Sequence, residues 1–178
     1  MKGISINLNI VLETKRLLLI KPTEDYLTAL YQLHADPRTN VYNPAGPHRE
    51  ISETKEMLNE WIKHWLAYDF GYCLMIEKES KAMIGMCGLR YKRLDGNVVL
   101  NLAYRLSPEY GRKGYTKEAC LALIQYIKKV QHIDNKIVAH TKADNIPSIR
   151  TAKSLGFLRE TQYDNFEASG DVYLFEPN

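Results

Sequence analysis

The order of hydrophobic and polar positions predicts that the chain opens with a buried strand followed by two amphipathic helices. Residues Arg16–Ile20 form the short apolar run expected of a buried strand. Thr23 then caps a first helix with two acidic residues in its first turn, and Asp36-Pro37 ends it. A second helix starts at Ser52, and its inward stripe repeats at steps of four, at Met57, Trp61 and Trp65. We expect the tryptophans to pack in the core.

Three strand-like runs follow, separated by two short polar turns. They are Tyr72–Glu77, Ala82–Arg90 and Val98–Leu106. Because the breaks at 78–81 and 94–97 are short, we expect the three strands to be antiparallel neighbours.

The second half of the chain alternates helices with strands. A helix is predicted at Thr116–Lys129, a strand at Lys136–Thr141, a helix at Ile146–Leu155, a strand from Phe157 onward and a last strand at Val172–Phe175. This order predicts a mixed α/β fold with one sheet and helices on both faces. No repeat or linker interrupts the pattern, so residues 1–178 are predicted to form a single domain.

Composition narrows the class of protein. Of the 178 residues, 45% are hydrophobic and 25% charged, which is ordinary for a globular domain. The net charge of +3 and the scattered basic residues argue against a nucleic-acid-binding α/β domain. The N-terminus, Met1–Ile10, has no signal-peptide core, and no apolar run is long enough to span a membrane. Three cysteines without a pairing pattern suit a reducing compartment, so we expect a cytoplasmic protein.

A basic, glycine-containing loop carries the first chemical signal. The strand ending at Leu106 is followed by Gly111-Arg-Lys-Gly114, which opens a helix. Free backbone N–H groups and the positive end of the helix dipole favour an anion there, and the Arg112 and Lys113 side chains neutralise phosphate charge. The spacing is neither that of a Walker loop nor that of a Rossmann dinucleotide site. Alone, such a turn is more often a solvated surface loop.

The surrounding residues make the loop recognisable. Leu106-Ser-Pro-Glu-Tyr110 with Gly111-Arg-Lys-Gly-Tyr-Thr-Lys-Glu-Ala119 resembles the coenzyme A pyrophosphate loop of GNAT acetyltransferases. Asp144-Asn-Ile-Pro-Ser-Ile-Arg150 with Ser154-Leu-Gly-Phe157 resembles the second signature of that superfamily. The opening strand and Ile84-Gly85 resemble its RimJ/RimL-like branch, and the resemblance covers nearly the whole chain.

The resemblance implies a single GNAT fold with a central, mostly antiparallel sheet that splays beside the strand ending at Leu106. Acetyl-coenzyme A would lie in that gap, and no metal would be needed. The implied cofactor-binding residues are Tyr104, Leu106, Gly111, Arg112, Lys113, Gly114, Tyr115, Thr116 and Asn145.

One position departs from the family pattern. Arg112 stands where the superfamily places the first loop glycine, and a glycine lies one step earlier at Gly111. The turn could shift by one residue and keep its N–H donors, with Arg112 adding charge attraction. Alternatively, Arg112 could obstruct the pyrophosphate and weaken binding.

The catalytic residues are less strongly indicated. Ser148 is the candidate donor to the leaving thiolate, and its alternative role is to cap the helix turn. The tyrosine of the other family arrangement is replaced by Ala152, which cannot donate. Glu53 is the first candidate for general base, chosen over Glu50 and Glu56 by position alone. For any single one of the three carboxylates, a place on a solvated helix face is the more common role.

We therefore expect an acetyl-coenzyme A-dependent N-acetyltransferase that acetylates a primary amine directly. The acceptor could be a protein N-terminus, an amino acid, a polyamine or an aminoglycoside-like drug. The alternative is a non-catalytic GNAT fold that binds coenzyme A as a sensor or scaffold. We expect no nucleic-acid or membrane partner, and a homodimer is compatible with the sequence.

Overall fold

The computed structural model describes residues 9–178, in which one eight-stranded sheet supports the helices. The strands are β1 Ile10–Glu13, β2 Leu17–Ile20, β3 Tyr72–Glu77, β4 Met83–Leu94, β5 Asn97–Leu106, β6 Ile137–Lys142, β7 Leu158–Arg159 and β8 Asp171–Phe175. Their order across the sheet is β1-β2-β3-β4-β5-β6-β8-β7, and every neighbouring pair is antiparallel except β5 with β6. The predicted antiparallel succession of β3, β4 and β5 is confirmed.

Four helices flank this sheet. They are α1 Leu27–Ala35, α2 Ile51–Tyr68, α3 Tyr115–Lys129 and α4 Ile146–Ser154. Short 3-10 turns precede α1, follow α1, precede α3 and follow β7, at Glu24–Tyr26, Pro37–Thr39, Pro108–Tyr110 and Thr161–Tyr163. Within residues 9–178, none of the helices combines the length and the apolar character that crossing a bilayer requires.

The strands bury alternate side chains on opposite faces of the sheet, as their period of two requires. On β3, Cys73 and Met75 belong to the core cluster that also contains residues of α3 and α4. Leu74 and Ile76 belong to the cluster that contains residues of α1 and α2. Trp61 is buried in that second cluster, so its predicted role in core packing is confirmed. The predicted mixed α/β fold with helices on both faces is therefore confirmed.

The sheet splits between β5 and β6. These strands pair only at Leu100 with Ile137 and at Asn101 with Val138. The Leu100 N–H donates to the Lys136 carbonyl, so by strand alternation the backbone groups of Leu102, Tyr104 and Leu106 face the same side. No strand pairs with that side of β5 beyond Asn101 in the described residues. The predicted splay is thus present, with unpaired backbone groups along its edge.

Gly85 allows β4 and β5 to pair closely beside the split. It pairs with Leu106, and a Cβ added to Gly85 would lie 2.4 Å from the Arg105 carbonyl oxygen. Such a contact is too short for any side chain, so the two backbones could not approach this closely without glycine. The close packing of β4 against β5 therefore requires the glycine of the Ile84-Gly85 motif.

Several predicted details differ from the structure. The strand β1 was not predicted, and the strand expected from Phe157 onward is only two residues long. The helix α2 begins at Ile51, one residue before the predicted start at Ser52, and Glu50 caps it, because its side chain and that of Glu53 form a reciprocal capping box. The Thr23 side chain makes no cap hydrogen bond, since the chain enters a 3-10 turn there. The prediction for Met1–Ile10 lies mostly outside the described residues.

Candidate active site

A cleft of about 790 Å³ occupies the split between β5 and β6. One wall comes from the end of β5, the start of α3 and the connection between α1 and α2. The other comes from β6, α4 and the approach to β8. The lining residues are Arg38, Thr39, Tyr42, Asn43, Pro44, Tyr104, Arg105, Leu106, Arg112, Thr116, His140, Thr141, Lys142, Asn145, Pro147, Ser148, Thr151, Glu167, Ala168 and Asp171.

A second groove of about 310 Å³ adjoins the cleft at the start of α3. The groove and the cleft share Leu106, Arg112, Thr116 and Thr151, so they form one continuous channel. Gly114 and Tyr115 also line the groove. The channel therefore runs from the split in the sheet to the N-terminus of a helix.

The loop at the start of α3 keeps its turn at the position of Arg112. Arg112 has a φ of 62° and Gly114 a φ of 80°, both in the left-handed region that favours glycine. Gly111 has a φ of −61° and a ψ of 154°, which any residue can adopt. The suggested shift of the turn onto Gly111 is therefore wrong, and Arg112 itself carries the left-handed conformation.

The Arg16 side chain, which comes from the segment before β2, contacts the loop at the start of α3 and stabilises it. The Arg16 Nη1 donates to the Lys113 carbonyl at 2.8 Å, and its Nε pairs with Glu118 at 2.7 Å. Its guanidinium also lies 4.2 Å from the centre of the Tyr115 ring. Since Glu118 further accepts from the Thr14 hydroxyl and the Arg16 N–H, its carboxylate anchors the loop.

Backbone donors of this loop point away from other protein groups. Among residues 9–178, the N–H groups of Arg112, Lys113 and Gly114 donate to no backbone or side-chain acceptor. The first N–H groups of α3 have no intrahelical partner either, as at every helix start. Together with the helix dipole they form a site for an anion.

The start of α4 brings Asn145 and Ser148 to the cleft. The Asn145 Oδ1 accepts from the Ser148 N–H at 3.2 Å, so Asn145 caps the helix. The Ser148 hydroxyl has a different partner, the Tyr104 hydroxyl at 3.1 Å. Tyr104 also donates to the Ser148 carbonyl at 2.8 Å. The hydroxyl of Ser148 is therefore left for a role other than capping.

The phenol of Tyr104 stays protonated near neutral pH. Burial raises the pKa of its phenol well above the usual range, although the hydrogen bond to Ser148 opposes this. Because the single phenolic proton goes to the Ser148 carbonyl, the Ser148 hydroxyl is the donor to the Tyr104 oxygen, and the two protonated hydroxyls form a pair in the cleft wall.

Glu53 does not line the cleft. Its exposed carboxylate accepts from the backbone N–H groups of Arg49 and Glu50, at 2.5 and 3.1 Å. The hydrogen bonds from Glu50 and Arg49 hold the pKa of Glu53 below its usual value. The structure thus places this candidate base in a helix cap.

A cluster of carboxylates and His140 lies in the other wall. Glu167 accepts from Lys92 Nζ at 2.6 Å and from the Tyr173 hydroxyl at 2.8 Å. Burial opposes ionisation of Glu167, but these hydrogen bonds outweigh it and lower its pKa. Asp171 is buried and pairs with His140 Nε2 at 3.0 Å and with the ammonium of Lys142.

The same cluster has ligand atoms for a cation. One potential ligand atom from each of His140, Glu167 and Asp171 lies within 4.8 Å of the others. However, the ammonium groups of Lys92 and Lys142 already contact these carboxylates, and they would repel a metal ion. The sequence had shown no metal-ligand spacing because the three residues come from separate segments.

Arg105 lies in the cleft wall opposite this cluster. Its Nη1 donates to the Asn40 Oδ1 at 2.9 Å. His34 lies nearby, and burial, together with the charge of Arg105, lowers the pKa of His34 to about 3. Burial also lowers the pKa of Arg105 itself. At this point of the wall, the guanidinium of Arg105 therefore lies near a neutral imidazole.

The predicted cofactor residues are largely brought together. Tyr104, Leu106, Arg112, Thr116 and Asn145 line the cleft, and Gly114 and Tyr115 line the adjoining groove. Gly111 and Lys113 line neither, although both belong to the loop. Sequence reasoning missed Arg105, His140, Glu167 and Asp171, for which no local motif gave a signal.

Comparison with known proteins agrees with this geometry. The profile of the acetyltransferase (GNAT) domain family matches residues 16–158. Uncharacterized N-acetyltransferase p20 of Bacillus licheniformis is 30% identical over 169 residues, covering 92% of this chain and 93% of that protein.

Solved structures share the fold at low sequence identity. An acetyltransferase from Agrobacterium tumefaciens superposes with a TM-score of 0.80 at 20% identity, covering 94% of each chain. The ribosomal-protein-S5-alanine acetyltransferase from Vibrio fischeri gives 0.72 at 17%, covering 92% and 93%. The spermidine N-acetyltransferase from Vibrio cholerae, in complex with coenzyme A and spermine, gives 0.70 at 16%, covering 90% and 93%.

Proposed function

This chain belongs to the acetyltransferase (GNAT) domain family, and from that premise we propose that it transfers the acetyl group of acetyl-coenzyme A directly to a primary amine bound in the cleft. The observation that carries the proposal is the coincidence of three features in one channel. These are the unpaired edge of β5, the free N–H groups before α3 and the Tyr104–Ser148 hydroxyl pair.

The residues present fit coenzyme A. Its pyrophosphate would accept from the N–H groups of residues 112–116, with the Arg112 and Lys113 side chains adding positive charge. Its pantetheine arm would pair with the backbone groups of Tyr104 and Leu106 that face the split, in the manner of an added strand. Asn145 keeps its amide nitrogen free of protein acceptors in residues 9–178 and would donate to the same arm.

Acetyl-coenzyme A supplies an activated acetyl group, so the chain needs only to position the acceptor and move protons. An amine with a pKa of about 8 to 10 must lose a proton before it attacks. Glu167 is the exposed carboxylate in the cleft, and its Oε1 accepts from no protein donor among residues 9–178, so this oxygen can face an acceptor. We therefore assign Glu167, in place of Glu53, to accept the acceptor's proton, directly or through water.

Ser148 acts on the leaving group of the reaction, the thiolate of coenzyme A. Its hydroxyl donates a proton to the departing thiolate and regains one from solvent water, while the Tyr104 oxygen, 3.1 Å away, orients the hydroxyl before the reaction. Asn145 fixes the position of Ser148 through the helix cap at 3.2 Å. Donation of this kind typically accelerates a reaction by about 10² to 10⁴-fold.

Release of free thiol from acetyl-coenzyme A tests the proposal. Purified protein should consume acetyl-coenzyme A in the presence of at least one member of a panel of amino acids, polyamines and N-terminal peptides. Calorimetry with a chelator present should give micromolar binding of acetyl-coenzyme A that weakens as salt is added, because salt screens the exposed charges of the loop. Binding without turnover across the whole panel would instead favour a coenzyme A sensor.

A further inference from the structure

Arg105 differs from the other cations that line the cleft. Arg38 pairs with Asp36 and Glu109, each at 2.7 Å, and Lys142 pairs with Asp171. Arg112 belongs to the cofactor loop. In residues 9–178, Arg105 alone of the lining cations outside that loop has no carboxylate within 4.0 Å.

A buried asparagine fixes the guanidinium of Arg105 in position. Asn40 is 5% exposed, and its amide nitrogen donates to the carbonyls of His34 and Asp36 at 2.9 and 2.8 Å. Its Oδ1 accepts from Asn43 Nδ2 and from Arg105 Nη1, each at 2.9 Å. This one neutral contact leaves the other N–H donors of the guanidinium without a protein acceptor among the described residues.

The groups around Arg105 carry no compensating negative charge. From α1 and the loop after it, His34 and His48 face it, and burial lowers the pKa of both imidazoles. Glu53, whose charge acts on His48, is held in the capping box of α2. A half-buried cation without an anion is costly, so this wall favours a bound anion.

The opposite wall has the complementary character. Glu167 there is exposed to the cleft; Lys92 and Tyr173 contact its Oε2, whereas its Oε1 accepts from no protein donor among residues 9–178. An acceptor that spans the cleft would therefore meet a carboxylate on one side and a guanidinium on the other. An amine fits the first wall and an acidic group fits the second.

We propose that the acceptor carries a carboxylate as well as its amine, as an amino acid does, and that Arg105 binds this carboxylate while Glu167 faces the amine. The inference rests on the proposed acetyl transfer and names its substrate class. A single unpaired guanidinium matches one negative charge, and its planar fork matches the two oxygens of a carboxylate. Polyamines, which carry only positive charge, would be repelled by it.

Binding of products tests this without turnover. Protein saturated with coenzyme A is titrated with the N-acetyl derivatives of the common amino acids, each compared with its own carboxamide. We expect at least one carboxylate to bind about tenfold or more tightly than its amide, since the charge-assisted contact is lost with the amide. Arg105→Gln should remove that preference, and Arg105→Lys should keep part of it.

A matched control variant and the thiol-release assay separate a carboxylate site at Arg105 from a general effect of removing a positive charge. Arg93→Gln removes an exposed arginine of β4 that lies outside the cleft, and it should leave the preference unchanged. If Arg105→Gln does not fold, the comparison of acid with amide on the unaltered protein and on Arg105→Lys still decides. Equal binding of acids and amides would overturn the inference, as would thiol release supported only by amines without a carboxylate. A carboxylate preference without any thiol release would instead contradict the proposed transfer and leave the anion site standing.

Discussion

The two ends of the channel, one for each proposed substrate, are built in different ways. The cofactor side offers backbone groups, namely the open edge of β5 and the N–H groups before α3. The acceptor side offers side chains from both walls of the cleft, among them Arg105, His140 and Glu167. The cofactor side comes mostly from one continuous stretch, residues 104–116, whereas the acceptor side draws on segments far apart in the chain.

This difference has consequences for substitution. A backbone donor is kept under most side-chain changes, provided that the local φ and ψ are maintained. A side-chain contact is lost with a single substitution. We therefore expect changes in the acceptor and proton-transfer groups to have large effects on turnover, and changes in the cofactor loop to have small effects on binding.

The largest effect is expected at Glu167. Glu167→Gln keeps the shape of the side chain but removes the proton acceptor, so kcat should fall by about 10² to 10⁴-fold. The matched control is Glu53→Gln, which should leave both kcat and the melting curve nearly unchanged, because a glutamine side chain can still accept from the backbone N–H groups of the capping box. Steady-state rates and melting curves of both variants measure this. The reverse pattern would return the base to Glu53.

Ser148→Ala should give the next largest effect. We expect kcat to fall at least about tenfold, with partial rescue by water, while the Kd for acetyl-coenzyme A changes little. The hydroxyl acts mainly as the thiolate leaves, and the cap from Asn145 uses the Ser148 N–H, which alanine retains. Ser52→Ala, in the exposed first turn of α2, is the control. Normal kcat in a well-folded Ser148→Ala protein would remove this residue from the mechanism.

A smaller effect concerns the pH dependence of stability on the acceptor side. His34 is 6% exposed and has a pKa of about 3, lowered mainly by burial and then by Arg105. As the pH falls from about 6 toward 3, the unfolded chain takes up a proton at this residue and the folded chain does not. The free energy of unfolding should therefore fall by about 1.4 kcal/mol per pH unit on account of His34.

Denaturant titrations across this pH range measure the slope. His34→Gln should make it shallower, and His132→Gln, at an exposed histidine, should not. Identical slopes in the unaltered protein and in His34→Gln would show that His34 is protonated without cost in the folded state.

The smallest effect is expected in the cofactor loop. Gly114→Ala places a side chain at a φ of 80°, which costs about 1 to 2 kcal/mol. It should therefore weaken acetyl-coenzyme A binding more than Gly111→Ala, whose φ of −61° suits alanine. Arg112→Gly would relieve the left-handed strain but remove a positive charge. Dissociation constants that rank Gly111→Ala as the worse variant would restore the idea of a shifted turn.

The same difference explains how much of the protein could be predicted from its sequence. The fold and the cofactor loop were predictable because hydrophobic periodicity and a local run such as Gly111–Thr116 report on neighbouring residues. Glu167 and Asp171 were not, because only the pairing of β6 with β8 brings them beside His140. Glu53 was selected by its place on α2, but the capping box, which depends on the exact helix start, engages its carboxylate.

Amide hydrogen exchange with and without acetyl-coenzyme A tests the division between the cofactor side and the acceptor side most directly. We expect the cofactor to slow exchange at residues 103–116, where backbone groups would bind it, and at the start of α4, where the Asn145 side chain would. We expect no comparable change in α1 and α2, which contribute to the acceptor side. Protection confined to α1 and α2, with residues 103–116 exchanging as before, would contradict this assignment of the two sides.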